Sequence, residues 1–154
     1  MVRLLLVSRD MPDKTTRARA AKDKREGKSP STQAGEYIRE EIHHVREGKH
    51  GARSAKQMIA IGLSKARRAG VALPLPKHAS AAVRRQAERD AEVGRTHHKV
   101  SPTRSRASHQ ALEHEGAAAA SHAALSRHAH AAAQHRSAAS RSRSAEKAAR
   151  TRRG

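Results

Sequence analysis

The scarcity of large apolar side chains after Pro76 constrains this chain more than any other feature. The last 78 residues contain five such residues: Val83, Val93, Val100, Leu112 and Leu125. Burying one of them stabilises a fold by roughly 1.5–3 kcal/mol, whereas ordering the backbone costs roughly 1–2 kcal/mol per residue. We therefore expect residues 77–116 to form a linker with weak helices. We expect residues 117–154 to form a low-complexity Ala/Ser/His/Arg basic tail that is disordered or transiently helical.

The segment 31–47, STQAGEYIREEIHHVRE, has the periodicity of an amphipathic helix. Ala34, Ile38, Ile42 and Val45 recur at helical spacing on one face. Ser31 or Thr32 is expected to cap the start of this helix, and the glycine at position 48 marks its end.

A second helix is predicted over residues 54–69. Ser54 and Gln57 have the spacing of a capping box, and Gly70 suits a left-handed C-cap. The two helices form a predicted helical hairpin over residues 31–76, so the fold class is mainly α. Its expected core consists of Tyr37, Ile38, Ile42, Val45, Met58, Ile59, Leu63, Val71 and Leu73. A core of this size is marginal for a monomer, which leaves self-association open.

The segments flanking the hairpin are predicted to be less ordered. Residues 1–30 form a basic N-terminal arm, with a short helix over 15–25 as one alternative and Met11 as a candidate for the true first residue. A weak helix is expected from Ser80 to Gly94, and another from Ser101 to Gly116.

The excess of positive charge is the main indication of function. The chain has 33 Lys and Arg residues against 14 Asp and Glu, a formal charge of +19. Such an excess repels itself unless a polyanion is present, which favours DNA as the partner, with RNA as an alternative. The apolar run Leu4–Val7 is too short for a signal-peptide core or a membrane span. We therefore expect a cytoplasmic, nucleoid location without membrane insertion.

Catalysis and metal binding are not expected from the sequence. Two helices cannot enclose a catalytic pocket, so no enzyme activity, cofactor or small-molecule substrate is predicted. The chain has no cysteine, and its 12 histidines include no H-E-x-x-H pattern, so thiolate chemistry is excluded and no metal site is predicted. The histidines of the tail are interpreted as solvated side chains.

The loop GKHGARS, residues 48–54, is the first candidate for phosphate contact. Its glycines permit tight turns, its basic residues supply charge, and the start of the second helix presents free N–H groups. A solvated connector is the alternative reading of this loop. The outer face of the second helix and the short basic stretches SPTRSR, SRSRS and KAARTRRG extend the hypothesis. The predicted contacts are Lys49, His50, Arg53, Lys56, Arg67, Arg68, Arg104, Arg106, Arg141, Arg143, Arg150, Arg152 and Arg153.

The stretch KSPSTQAGEYIREEIHHVREGKHGARSAKQMIAIGLSKARRAGV, residues 28–71, resembles a family of small basic bacterial and phage proteins. Its members share a K-Q-A-I-A-I-G/A-L-S-x-A-R-x-A-G signature and are catalogued as a domain of unknown function. Met58 stands where the signature usually has Ala. Some members, with similar MPDK-type starts, carry the label "DNA-binding protein". The resemblance thus implies DNA and supports Met11 as the first residue, but it supplies no catalytic residues.

These observations predict a nucleoid-associated-type protein that binds DNA through the phosphate backbone without sequence preference. Two alternatives stay open. One is a protein-interaction adaptor whose basic tails only solubilise it, and the other is an RNA- or ribosome-associated protein.

Overall fold

The computed structural model describes residues 11–97 and 101–153. Within these ranges the chain is helical and contains no strand, which confirms the prediction of a mainly α fold. Its helices are α1 (Lys14–Arg25), α2 (Pro30–Arg46), α3 (Ala55–Arg68), α4 (Ala81–Thr96), α5 (Pro102–Glu113), a 3-10 turn (Ala118–Ala120), α6 (His122–Gln134) and α7 (Ala138–Arg153). Over the same residues, each helix is too short or too polar to cross a bilayer.

The start of α2 differs from the prediction by two or three residues. Ser29 is the N-cap, and its hydroxyl accepts a hydrogen bond from the backbone N–H of Thr32 at 3.4 Å. The predicted caps Ser31 and Thr32 lie inside the helix. Pro30 decides the boundary, because its ring fixes φ at a helical value and it lacks the N–H that a first-turn position leaves unpaired.

The caps of α3 agree with the sequence pattern in most respects. The Ser54 hydroxyl accepts from the N–H of Gln57 at 3.1 Å, as predicted. The Gln57 side chain reaches back one residue further than expected, and its oxygen accepts from the N–H of Arg53 at 2.7 Å. At the other end Gly70 has a φ of +92°, so it forms the predicted left-handed cap.

The hairpin of α2 and α3 is antiparallel and carries most of the core. Tyr37, Val45 and Met58 are buried, as the sequence predicted. Ala34 is buried on the predicted face of α2, whereas the alanines that the flanking segments add to the core were not predicted. Tyr37 packs in a cluster with Ala20 of α1, and Val45 and Met58 cluster with two alanines of the 3-10 turn, Ala119 and Ala120.

In the described parts of the flanking arms, residues 11–30, 77–97 and 101–153, the chain forms helices, so the disordered or transiently helical state expected there is not confirmed. The helices expected near 15–25, 80–94 and 101–116 correspond to α1, α4 and α5. The apolar run Leu4–Val7 lies outside the described residues.

A count of large apolar side chains overlooks much of the flanking packing, because that packing uses small residues. At the contact of α4 with α3, a Cβ added to Gly94 would lie 2.2 Å from the carbonyl oxygen of Arg67. Gly94 was predicted to end this helix, but α4 continues to Thr96. The missing side chain of Gly94 instead permits the α4 backbone to approach α3.

The segment after α5 closes over the hairpin loop by backbone hydrogen bonds. Gly51 donates to the carbonyl of Leu112 at 2.9 Å, and Ala52 donates to that of Gly116 at 3.0 Å. The Arg46 side chain donates to the carbonyl of Ala120 at 3.0 Å. Residues well beyond position 76 thus pack on the hairpin, although the tail as a whole has few large apolar side chains.

Candidate functional site

The structure divides the predicted phosphate contacts into two groups by exposure. His50, Arg67 and Arg68 are only partly exposed. The exposed residues are Lys49, Arg53, Lys56, Arg104, Arg106, Arg141, Arg143, Arg150, Arg152 and Arg153.

Several backbone N–H groups of the loop 48–54 are bonded within the protein. The N–H groups of Gly51 and Ala52 are bonded to carbonyls of the segment 112–116, and that of Arg53 is bonded to Gln57. Gly51 is so close to the overlying chain that an added Cβ would lie 1.8 Å from the carbonyl oxygen of Glu115. These three N–H groups are therefore not available to an anion, and the exposed side chains of Lys49 and Arg53 are the basic groups that the loop presents to solvent.

His50 faces inward from the same loop. Its Nε2 lies 3.3 Å from Oε2 of Glu41, and 9% of its side chain is exposed. Its Nδ1 lies 3.0 Å from the carbonyl oxygen of Gly51 and donates to it in the Nδ1–H tautomer. The His109 ring of α5 stands edge-on to the His50 ring, with centroids 6.4 Å apart. His50 is thus part of a buried polar cluster between α2, α3 and α5.

Glu41 is the centre of this cluster and is completely buried. Its Oε1 accepts from the ammonium of Lys65 at 2.5 Å. Its Oε2 has no hydrogen bond of regular geometry among the described residues, and the nearest nitrogen given for it is Nε2 of His50, at 3.3 Å. A fully buried carboxylate oxygen without a donor is costly, so this atom is the unusual feature of the interior.

His44 lies on α2 one turn after Glu40 and Glu41, between two sets of carboxylates. Its Nδ1 is 3.8 Å from Oε1 of Glu41. On the other side, its Nε2 is 3.7 Å from Oε1 of Glu40 and 3.8 Å from Oδ2 of Asp13. The Glu40 oxygen also accepts from the backbone N–H of Asp13 at 3.0 Å. Glu41, His44 and His50 present donor atoms within 4.8 Å of one another.

The two histidines of the cluster titrate in opposite directions from their ordinary value. The contact with Glu41 raises the pKa of His50, helped by the carbonyl of Gly51. Burial and the nearby Lys65 ammonium lower the pKa of His44. Burial also acts to raise the pKa of Glu41, but His50 and Lys65 outweigh it, so the pKa of this carboxyl lies below its ordinary value. Glu41 is therefore ionised at neutral pH.

A second buried carboxylate joins α4 to α3. Asp90 is 2% exposed and accepts from Ser64 Oγ at 2.7 Å, Arg68 Nε at 2.9 Å and Gln86 Nε2 at 3.0 Å. Arg68, a predicted phosphate contact, is thus paired inside the protein. Arg67 is half-buried and donates to the carbonyl of Pro74 at 3.3 Å.

The last helix, α7, differs from the rest of the chain in its exposure. Each of its residues except Ser140 is exposed. Arg141 caps the preceding turn by donating to the carbonyls of Ala133 and Arg136 at 3.3 and 2.7 Å. In the described structure, the remaining cations of α7 form no side-chain hydrogen bond or ion pair. They are Arg143, Lys147, Arg150, Arg152 and Arg153.

The Glu41–His44 pair has a recognisable signal in the sequence. The pattern Glu-x-x-His places both side chains on one face of a helix, as in helical metal sites. His50 has no such signal, because it joins the pair only when the loop folds back across α2.

Comparison with known proteins adds no assignment. No protein-family model, curated protein or solved structure matches this chain.

Proposed function

We propose that this protein binds duplex DNA without sequence preference, through contacts of exposed Arg and Lys side chains with backbone phosphates. The observation that supports the proposal most is α7, a fully solvated helix with five cations that lack an internal partner. Arg143, Lys147 and Arg150 recur at i, i+4 and i+7, so they share one face over about 10 Å of helix.

The placement of the acidic residues also supports the proposal. Asp23, Glu40, Glu41 and Asp90 are buried, where they meet partners from the protein itself, such as Lys65 and Arg68. Most Lys and Arg side chains stay at the surface, so the surface is more basic than the composition alone implies. A positive surface of this kind attracts a polyanion and speeds association with it.

Binding is also expected to stabilise α7. An isolated helix of this length is marginal in water, and its cations repel one another. Phosphates neutralise that repulsion, and Arg is suited to the role because its guanidinium forks onto phosphate oxygens. The helix content of the full chain, measured by circular dichroism, should therefore rise when duplex DNA is added at low salt.

The decisive experiment measures affinity against salt concentration on unrelated duplexes. Each neutralised phosphate contributes about 0.9 to the slope of log K against log salt. The triple variant R143Q/K147Q/R150Q should therefore reduce the slope by up to about 2.7. The variant R84Q/R85Q/R89Q on α4 removes the same charge and serves as the matched control, with a smaller expected reduction.

Three outcomes would contradict the proposal. No binding at low salt would remove the function itself. An equal reduction for both triple variants would remove α7 as the principal contact. Tighter binding to structured RNA than to duplex DNA in competition would reassign the partner.

A further inference from the structure

The buried cluster around Glu41 has an organisation that DNA binding does not require. We propose that Glu41, His44 and His50 form a binding site for a divalent transition-metal ion such as Zn²⁺. The ligands would be Oε2 of Glu41, Nδ1 of His44 and Nε2 of His50. Imidazole nitrogens and a carboxylate oxygen are ligands that such ions accept.

The separations between these atoms suit a single ion. At zinc bond lengths near 2.0–2.1 Å, tetrahedral ligand atoms lie about 3.3 Å apart. Glu41 Oε2 and His50 Nε2 are 3.3 Å apart, and the three residues offer donor atoms within 4.8 Å of one another. His44 closes the remaining distance by a small movement toward Glu41.

The unpartnered oxygen of Glu41 points independently to a ligand. This side chain is fully buried, and Oε2 lacks a hydrogen bond within the described structure. Lys65 occupies the other oxygen and so leaves Oε2 as a monodentate ligand. A metal ion on Oε2 would complete the coordination of a carboxylate that is otherwise half satisfied.

His50 makes the outer hydrogen bond expected of a metal ligand, and His44 has carboxylates near its outer nitrogen, although beyond hydrogen-bond distance. A ligating imidazole commonly donates its second N–H to a carboxylate or a backbone carbonyl, which fixes its tautomer and orientation. Nδ1 of His50 lies 3.0 Å from the carbonyl of Gly51, which leaves Nε2 free for metal. Nε2 of His44 lies 3.7 Å from Glu40, which leaves Nδ1 free.

The charge of the cluster and its access to solvent are compatible with a cation. Lys65 opposes a divalent ion, but Glu40 and Glu41 bring two negative charges to the same region. An open groove of about 180 Å³, lined in part by Asp13, Glu40 and His44, brings solvent to His44 at the edge of the cluster. With three protein ligands, a fourth coordination position remains for water.

The test uses the full chain, freed of metal with a chelator and then titrated with Co²⁺ as a spectroscopic substitute for Zn²⁺. The wild-type protein should show the intense visible absorption of tetrahedral Co²⁺, and Zn²⁺ should displace it. H44Q and H50Q should lose this absorption. The matched control H122Q/H130Q, which removes two exposed histidines of α6, should keep it. The variant E40Q removes an outer contact and should weaken binding by about 10–100-fold.

Nitrogen-15 NMR of the wild-type imidazoles keeps the test decisive if a variant fails to fold. Zn²⁺ should shift Nε2 of His50 and Nδ1 of His44 most. The proposal is overturned if Zn²⁺ shifts only histidines of the tail. It is also overturned if the folded H44Q and H50Q proteins bind Co²⁺ as the wild type does, or if the wild-type spectrum stays that of hydrated Co²⁺.

Discussion

The ammonium of Lys65 lies 2.5 Å from Oε1 of Glu41, inside the contact between α3 and α2. The Glu41 side chain is fully buried and that of Lys65 is 11% exposed. Removing one partner of a buried ion pair leaves the other charge without compensation and costs about 3–5 kcal/mol of stability. The stability of the α2–α3 hairpin therefore depends on this ion pair of the buried polar cluster.

We expect K65M to lower the free energy of unfolding by about 3–5 kcal/mol, because it leaves the Glu41 carboxylate buried without its ammonium. The double variant E41M/K65M should lose less than K65M alone, since neither charge is left unpaired. Urea denaturation in the presence of a chelator measures both. K22M is the surface control, because the Lys22–Glu26 pair is largely exposed and is worth at most about 1 kcal/mol. A K65M protein as stable as K22M would contradict the prediction.

Gly94 and Gly35 make a matched pair of glycine-to-alanine substitutions. G94A should destabilise the protein by about 1–3 kcal/mol, because overpacking forces the backbones apart where a Cβ would approach the Arg67 carbonyl. Gly35 lies within α2 and has no atom within 4 Å of an added Cβ. G35A should therefore stabilise the protein by about 0.5–1 kcal/mol, the usual gain of alanine over glycine in a helix. A G94A protein that unfolds at or above the temperature of the wild type would show that the α3–α4 contact is not close.

Removing the charge of Asp90 should loosen α4 from α3. D90N replaces one acceptor oxygen with an NH₂ group that faces the donors of Arg68, Gln86 or Ser64. Hydrogen bonds to charged groups are worth about 1.5–3 kcal/mol, so a loss of that size is expected in chemical denaturation. Native-state hydrogen exchange should also speed up in α4. The control is E92Q on the same helix, where the pair with Arg95 is exposed and the change should stay within about 0.5 kcal/mol. Equal losses for the two variants would argue against a buried role for Asp90.

The two clustered histidines should give opposite pH dependence in metal-free protein. The raised pKa of His50 adds stability below the ordinary value of about 6.5, and that stability is lost as the pH rises through the folded pKa. The lowered pKa of His44 adds stability above about 6.5, and that stability is lost as the pH falls through the folded pKa. Stability measured against pH should therefore fall with rising pH in H44Q, which retains His50.

The slope should reverse in H50Q, which retains His44. Proton NMR titration of the wild-type rings, recorded with a chelator present, gives the two pKa values directly. The interpretation fails if both rings titrate on the same side of the value of a free histidine.

Much of the hairpin follows from local sequence patterns. Ser54 and Gly70 cap the two ends of α3, as their chemistry predicts. Tyr37, Val45 and Met58 are buried on the faces that helical periodicity assigns to them. These features depend on residues within one or two turns of each other, and local spacing is what a sequence displays directly. Helices in the flanking segments were expected only as weak or alternative elements, and their packing on the hairpin was not predicted, since Ala119, Ala120 and Gly94 contribute packing that a count of large apolar residues omits.

The predicted phosphate contacts fall into exposed residues and inward-facing residues, and local sequence spacing does not distinguish the two groups. Exposed positions such as Lys56 and Arg143 remain available as the charge pattern suggested, whereas His50 and Arg68 turn inward toward carboxylates. Each inward contact depends on a partner distant in sequence, Glu41 on α2 and Asp90 on α4. Position in the sequence does not show which Lys, Arg and His side chains pair with a carboxylate and which face solvent.

By itself, the sequence determined the helical class, the caps of α3, the apolar faces of the hairpin helices and the large positive charge, because these follow from composition and short-range spacing. Only the tertiary structure decided where the charges are neutralised. Folding buries Glu41 against Lys65, His44 and His50, and it buries Asp90 against Arg68, since desolvated carboxylates must find donors within the protein. It leaves α7 solvated, because that helix has no apolar face to bury.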